Sequence, residues 1–203
     1  MKDIKRASRT LAVAPAVALG RLGFTPNALT IIGSALTGAV GILAANGWFA
    51  AAAACLWLFS LADTLDGALA RATGRVSVFG AFLDSVCDRY AEAAVFLGIA
   101  WWYHTRADGL GIVLAYLALV GSLLVSYARA RAEGVGLDAE VGWFQRPERI
   151  IVLGLGLLLE AATAGPLLIA LGVLALLTTV TVLQRVAHVH RLATRRDDPA
   201  NPR

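Results

Sequence analysis

The sequence predicts an all-α, polytopic integral membrane protein with six transmembrane helices and an N-terminal interfacial amphipathic helix. Three observations carry this. Hydrophobic residues fill 58% of the 203 positions and the mean hydropathy is +0.69, far too apolar for a soluble domain of this length. The apolar residues gather in runs of roughly 17–25, the length that crosses a hydrocarbon layer about 30 Å thick. The two termini and the polar connections between the runs hold nearly all of the Lys and Arg.

Taken in order, residues 1–21 carry Lys2, Lys5, Arg6 and Arg9 ahead of an apolar run from Leu11 to Leu19 that Pro15 interrupts. A secretory leader also has a basic start and a short apolar centre. An interfacial helix with its cations against lipid headgroups suits the run better. Arg21 and the turn-forming Thr25-Pro26-Asn27 precede the first span, at about 27–45. Asn46-Gly47 turns the chain, Trp48 is an interfacial aromatic, and the second span continues to about Ala70. A polar loop from Arg71 to Ser77 leads to the third span, about 79–103, whose far end is the aromatic belt Trp101-Trp102-Tyr103. Span four covers about 110–127, and the longest polar segment, Arg129 to Arg149, follows it. Span five is expected over about 150–162, short unless it begins inside the loop near Phe144, Gly165-Pro166 turns the chain, and span six reaches about His188. Residues 1–190 read as one membrane domain without internal repeats, and 191–203 as a charged tail too polar to order itself.

Charge orients these spans. Lys and Arg mark the N-terminus, the loops after spans two and four, and the C-terminus, while only Arg106 stands on the other side. Both termini are therefore expected on the cytoplasmic face of the cell membrane. The isoelectric point near 9.5 raises nucleic acid as a partner. The basic residues sit at span ends without interleaved aromatics, which points instead to anionic headgroups and anionic ligands. Cys55 and Cys87 form no CxxC pair and read as reduced, buried hydrophobes. Glu160 and His104 fall near the opposite face, and His188 and His190 near the tail, so none of them is a catalytic candidate.

The chemistry concentrates in Asp63-Thr-Leu-Asp66-Gly67-Ala-Leu-Ala70-Arg71 and, eight residues later, Gly80-Ala-Phe-Leu-Asp84-Ser-Val-Cys-Asp88. A charge in hydrocarbon costs roughly 3 kcal/mol or more, so carboxylates within membrane helices are functional candidates. Helical spacing puts Asp63 and Asp66 on one face with Ala70 a turn further along, and Gly80, Asp84 and Asp88 on one face of the next helix. Two such faces turned toward each other make a cage of hard oxygen ligands suited to Mg²⁺ or Mn²⁺. Gly67 and Gly80 leave room for a ligand to approach the backbone. The apolar sequence flanking both clusters argues against the alternative, a set of solvated loop acids.

The spacing D-x2-D-G-x2-A-R-x8-G-x3-D-x3-D, eight fixed residues over 26 positions, resembles the signature of the CDP-alcohol phosphotransferase family, and every fixed position is present. The resemblance implies that an alcohol attacks a phosphorus of a CDP-linked group and CMP leaves. Asp63, Asp66 and Asp84 match the family's metal ligands. Asp88 matches the general base, with a possible metal contact of its own. Two divalent ions, Mg²⁺ or Mn²⁺, would neutralise the pyrophosphate. Gly67, Ala70, Arg71 and Gly80, together with Asp66, match positions around the CDP-diacylglycerol head, Arg71 being the pyrophosphate's partner. Pro26, Asn27 and Thr30 resemble the P-N-x-x-T start of the family, close to the cytidine, although the same residues also make an ordinary helix start.

A second polar constellation bears on the acceptor. Ser126-Tyr-Ala-Arg129-Ala-Arg131-Ala-Glu133, then Arg146-Pro-Glu148-Arg149, then Gln184-Arg185 resemble the actinobacterial members of that family whose acceptor is inositol phosphate. The resemblance implies that Ser126, Arg129, Arg149 and Arg185 hold the acceptor's phosphate. Guanidinium forks bind such oxygens in bidentate fashion; arginines snorkelling to lipid headgroups would occupy the same positions. Arg129 departs from the subgroup's usual lysine. Glycerol 3-phosphate, the acceptor of phosphatidylglycerophosphate synthases, carries a phosphate too and remains the alternative. Outside the family, an aspartate-rich prenyltransferase would lack the G-x2-A-R continuation, and a cation transporter would place carboxylates at the midplane of a repeated architecture. Homodimerisation is implied by the resemblance alone.

Overall fold

The structure, a computed structural model, describes residue 15 and residues 17–196. Seven helices order residues 26–196, and no strand occurs among the described residues. They are α1 (Pro26–Ala45), α2 (Phe49–Ala62), α3 (Thr64–Ala72), α4 (Val78–His104), α5 (Gly109–Gly134), α6 (Arg146–Glu160) and α7 (Pro166–Arg196). Residues 17–21 are also helical; the rest of the expected interfacial helix lies outside the described residues. Two compact units divide the chain, Met1–Trp102 and Tyr103–Arg203.

Among the described residues, four stretches are long and apolar enough to cross a membrane: α1, α2 continued through α3, α5 and α7. The protein is thus all-helical with the composition of a multi-pass membrane protein. The other two expected spans do not qualify on the same grounds. Helix α4 is long enough but carries Asp84, Asp88, Arg89 and Glu92. Helix α6 has 15 residues, about 22 Å at 1.5 Å per residue, short of the hydrocarbon thickness.

In the first unit, Thr25 starts α1 by accepting from the Ala28 N–H at 3.2 Å, and Pro26 takes the first position, where its missing N–H costs nothing. At the other end, the Asn46 amide donates to the Ile42 carbonyl at 2.8 Å, and Gly47 turns the chain at φ +75°. A Cβ on Gly47 would lie 2.3 Å from the Trp102 ring, and Trp102 in turn meets Phe49 edge-on with ring centroids 4.8 Å apart. The second expected span breaks at Asp63 into α2 and α3. Asp63 itself keeps φ −56° and ψ −21°, near enough to helical that its face still leads toward Asp66. The closest packing joins α1 to α4: a Cβ on Gly41 would stand 2.2 Å from the Ala94 carbonyl oxygen, and one on Gly98 only 1.9 Å from the Gly41 carbonyl oxygen. Backbone here lies on backbone, the close approach that small residues permit in membrane helices.

In the second unit, α5 and α6 both pack on α7. Gly121 admits Thr178, and Gly156 admits Ala170. Helix α5 runs past the expected end of span four to Gly134, because Arg129 and Glu133 pair one turn apart at 2.7 Å and add helical support. Helix α7 likewise runs on through Arg196, so the expected unstructured tail does not begin at 191. The Thr194 hydroxyl donates to the His190 carbonyl at 2.9 Å and Arg196 to the Val135 carbonyl at 3.2 Å; residues 197–203 lie outside the described residues.

Glu160, read from the sequence as interfacial, has a structural task. Its Oε2 accepts from the Gly165 N–H at 3.0 Å and the Leu167 N–H at 2.9 Å, closing the start of α7. Cap removal costs about 1 kcal/mol. Glu160→Ala is therefore expected to lower the thermal midpoint of the purified protein by a few degrees, with Glu160→Gln, which keeps an acceptor oxygen, falling between the two. An unchanged midpoint in Glu160→Ala would remove the cap from the account.

Candidate active site

The first unit gathers the signature residues. Asp63 sits at the α2–α3 break, Asp66 in the first turn of α3, and Asp84 in α4. One carboxylate oxygen from each lies within 4.8 Å of the other two, and all three residues are half-buried. Three carboxylates so close repel one another strongly unless a cation sits among them. Hard oxygens from three separate side chains fit a divalent ion such as Mg²⁺ or Mn²⁺.

Asp66 is held at both carboxylate oxygens. The Thr30 hydroxyl donates to its Oδ2 at 2.5 Å, and the Gly67 N–H donates to its Oδ1 at 2.5 Å. Each oxygen keeps a lone pair for an ion. Thr30 is buried at 4% exposure. It therefore orients one carboxylate of the cluster, a task in addition to the cytidine contact expected from the sequence.

Asp88 stands apart from this group. One helical turn beyond Asp84 is a rise of about 6 Å, and its carboxylate is buried, 3.6 Å from the Arg89 guanidinium. Arg89 lies equally far from Glu92, at 3.6 Å. Three of the four predicted carboxylates thus come together, while Asp88 lies beside Arg89.

A cavity of about 300 Å³ opens beside Asp66 and Asp84. Its wall contains all seven residues expected around the CDP-diacylglycerol head: Asn27, Thr30, Asp66, Gly67, Ala70, Arg71 and Gly80. The two glycines have steric reasons to be there. A Cβ on Gly67 would lie 3.2 Å from an Arg71 guanidinium nitrogen, and one on Gly80 would lie 3.0 Å from Ser77 Oγ and 3.3 Å from Asn27 Oδ1. The cavity wall also includes Arg75, Val76 and Ser77, which sequence reasoning had treated as plain loop. Ser77 accepts from the Gly80 N–H at 3.0 Å; a serine three residues ahead of a helical glycine was the available signal.

The second unit holds the other constellation. Ser126 and Arg129 lie on α5, Arg149 on α6 and Arg185 on α7. Arg185 feels the like charges of Arg129 and Arg149. Arg149 and Arg185 are each 3% exposed, far deeper than arginines that snorkel to headgroups. Arg185 has already committed part of its fork: Nε donates to the Val141 carbonyl at 2.9 Å, and one terminal nitrogen donates to the Val125 carbonyl. Its first task is therefore to tie α5, at Val125, to the loop that follows that helix. The Ser126 hydroxyl donates to the Ser122 carbonyl at 3.3 Å. Arg129 pairs with Glu133 at 2.7 Å and reaches Glu140 at 3.8 Å. Glu140 was not among the candidates, because its loop carries no periodicity from which a partner could be read.

Three clustered carboxylates offer hard oxygens for a divalent ion, and the adjoining cavity offers a guanidinium to an anionic group. Residues 24–194 match the model of the CDP-alcohol phosphatidyltransferase family, and the chain belongs to that family. It is 41% identical over 175 residues to the phosphatidylinositol phosphate synthase of Mycobacteroides abscessus, covering 84% of this chain and 80% of that one. The crystal structure of the Mycobacterium tuberculosis phosphatidylinositol phosphate synthase with CDP-DAG bound superposes with a TM-score of 0.82 at 36% identity, covering 89% of this chain and 94% of that one. A second structure of the same enzyme, in complex with manganese and citrate, also gives a TM-score of 0.82 at 36% identity, over 88% of each chain. Manganese in that relative accords with the hard-oxygen character of Asp63, Asp66 and Asp84.

Proposed function

We propose that the protein transfers the diacylglycerol phosphate group from CDP-diacylglycerol to a hydroxyl of inositol phosphate, releasing CMP and forming phosphatidylinositol phosphate. The observation that carries this is the meeting of Asp63, Asp66 and Asp84 beside a cavity lined by the seven expected head-binding residues. The mycobacterial relatives support the acceptor.

Asp63, Asp66 and Asp84 would hold the divalent metal, one ion or two. Such an ion neutralises pyrophosphate charge and stabilises the leaving CMP. Arg71 binds the pyrophosphate in bidentate fashion, Asn27 lies at the cytidine, and Gly67, Ala70 and Gly80 let the head approach the helix backbone. Asp88 accepts the proton of the attacking hydroxyl as the new O–P bond forms and the P–O bond to CMP breaks. Arg129 and Arg149, with Ser126, bind the acceptor's phosphate, and Arg185 adds the remainder of its fork while holding the surrounding backbone. The same reading takes α4 and α6 as the third and fifth of six spans, tolerated because their polar faces turn inward. It places the termini and the site on the cytoplasmic side of the cell membrane, from the distribution of Lys and Arg, and takes the chain as a homodimer.

The test is CMP release by purified protein with Mg²⁺ or Mn²⁺ and CDP-diacylglycerol, offering inositol phosphate, glycerol 3-phosphate or free inositol. Turnover with inositol phosphate alone is expected. Turnover with glycerol 3-phosphate instead would keep the aspartate chemistry and discard the acceptor.

A further inference from the structure

The loop between α5 and α6 is laced to one side of α7. Gln184 accepts from the Trp143 N–H at 3.2 Å, Thr181 accepts from the Phe144 N–H at 3.3 Å, and Arg185 donates to the Val141 carbonyl at 2.9 Å. Arg196 holds the near end through the Val135 carbonyl at 3.2 Å. Between these ties Ala139 is fully buried, and the Glu140 N–H is held by Asp138 Oδ1 at 2.8 Å. The backbone that presents Glu140 is therefore fixed. Its side chain is not: it is 56% exposed and meets Arg129 NH1 at 3.8 Å, an arginine itself 41% exposed.

The two carboxylates on Arg129 do different things. Glu133, on the same helix, takes Nε at 2.7 Å, which orients the guanidinium without using its outer edge. Glu140 faces NH1, on the edge through which a guanidinium grips a phosphate with two parallel hydrogen bonds. We propose that Glu140 is an internal competitor at Arg129, a carboxylate that a phosphate-bearing acceptor must displace, and so a determinant of acceptor affinity and charge selectivity. This rests on Arg129 being a phosphate-binding residue, as assigned above. A phosphate of charge near −2 makes two charge-assisted bonds in place of one long ion pair, and Glu140 returns to water by rotation about its own side chain. An uncharged alcohol offers Arg129 nothing better than Glu140. An exposed pair of this kind shifts an equilibrium by up to about fivefold, enough to tune affinity and too little to block it.

Inorganic phosphate tests this apart from the acceptor's identity. Isothermal titration of the full-length protein in detergent, at constant ionic strength, is expected to give about two- to fivefold tighter phosphate binding in Glu140→Gln than in the wild type. The gain should vanish when Arg129→Gln is present in both members of the comparison. With a phosphorylated acceptor, its KM should fall by the same factor while that of CDP-diacylglycerol does not follow. Equal phosphate affinity in wild type and Glu140→Gln, a gain that persists without Arg129, or no phosphate binding by either protein would overturn the proposal. Lack of turnover with inositol phosphate would sink only the acceptor assignment and leave the titration to decide about Glu140.

Discussion

Asp84→Asn is expected to abolish turnover, lowering CMP release at saturating substrates by at least about a hundredfold, or about 2.7 kcal/mol in the barrier. The substitution conserves size and helix position, so folding should survive it. It removes one of three negative charges whose oxygens lie within 4.8 Å of each other, and with it much of the attraction for a divalent ion. Metal affinity should fall with the rate: manganese binding, read by electron paramagnetic resonance, should weaken in Asp84→Asn and Asp66→Asn alike. Asp88→Asn should part from them, losing rate while retaining metal and CDP-diacylglycerol, because Asp88 lies outside the group of three and beside Arg89. Wild-type turnover in Asp84→Asn would withdraw the metal assignment. Loss of metal binding in Asp88→Asn would return that residue to the ligand set.

Gly98→Leu should carry the largest effect on stability. The added Cβ would fall 1.9 Å from the Gly41 carbonyl oxygen, 2.5 Å from its carbon and 2.6 Å from its Cα. All three are backbone atoms of a helix, so no side chain can swing away to make room. The helices must separate, and overpacking of this kind costs about 3 kcal/mol or more. The expected result is a lowered thermal midpoint or loss of monodisperse protein in detergent. Gly98→Ala should show the same trend, since the clash begins at Cβ. Gly33→Ala is the control: its Cβ would meet nothing within 4 Å, and alanine is the better helix former. The crossing also matters to the site, because α1 carries Asn27 and Thr30 while α4 carries Gly80, Asp84 and Asp88. A variant that folds with its helices pushed apart should therefore also lose affinity for CDP-diacylglycerol. Equal midpoints for Gly98→Leu and the wild type would contradict the crossing.

Much of this was legible in the chain. The helical period alone sets Asp63 beside Asp66 and Asp84 beside Asp88, and the seven head-binding residues predicted from the signature all line one cavity. Runs of apolar residues located the helices other than α3, because burial in lipid demands long uninterrupted stretches. Helix ends were less legible. A pair such as Arg129 and Glu133 extends a helix that polarity alone would end, and Asp63 divides a span that apolarity alone would join.

Several assignments needed the tertiary structure. The sequence by itself determined the membrane class and the acidic cluster, through residue type and local period, and the family resemblance supplied seven residues of the cavity wall. Only the fold decided that Asp88 stands apart from the three clustered aspartates, that Thr30 holds Asp66, that Arg185 spends its fork on two carbonyls and that Glu140 reaches Arg129. The physical reason is common to all four. A side chain's chemical capacity is encoded where it stands, but the partner that takes up its donors and acceptors comes from a distant segment, whose approach is set by how closely the helix backbones can pack.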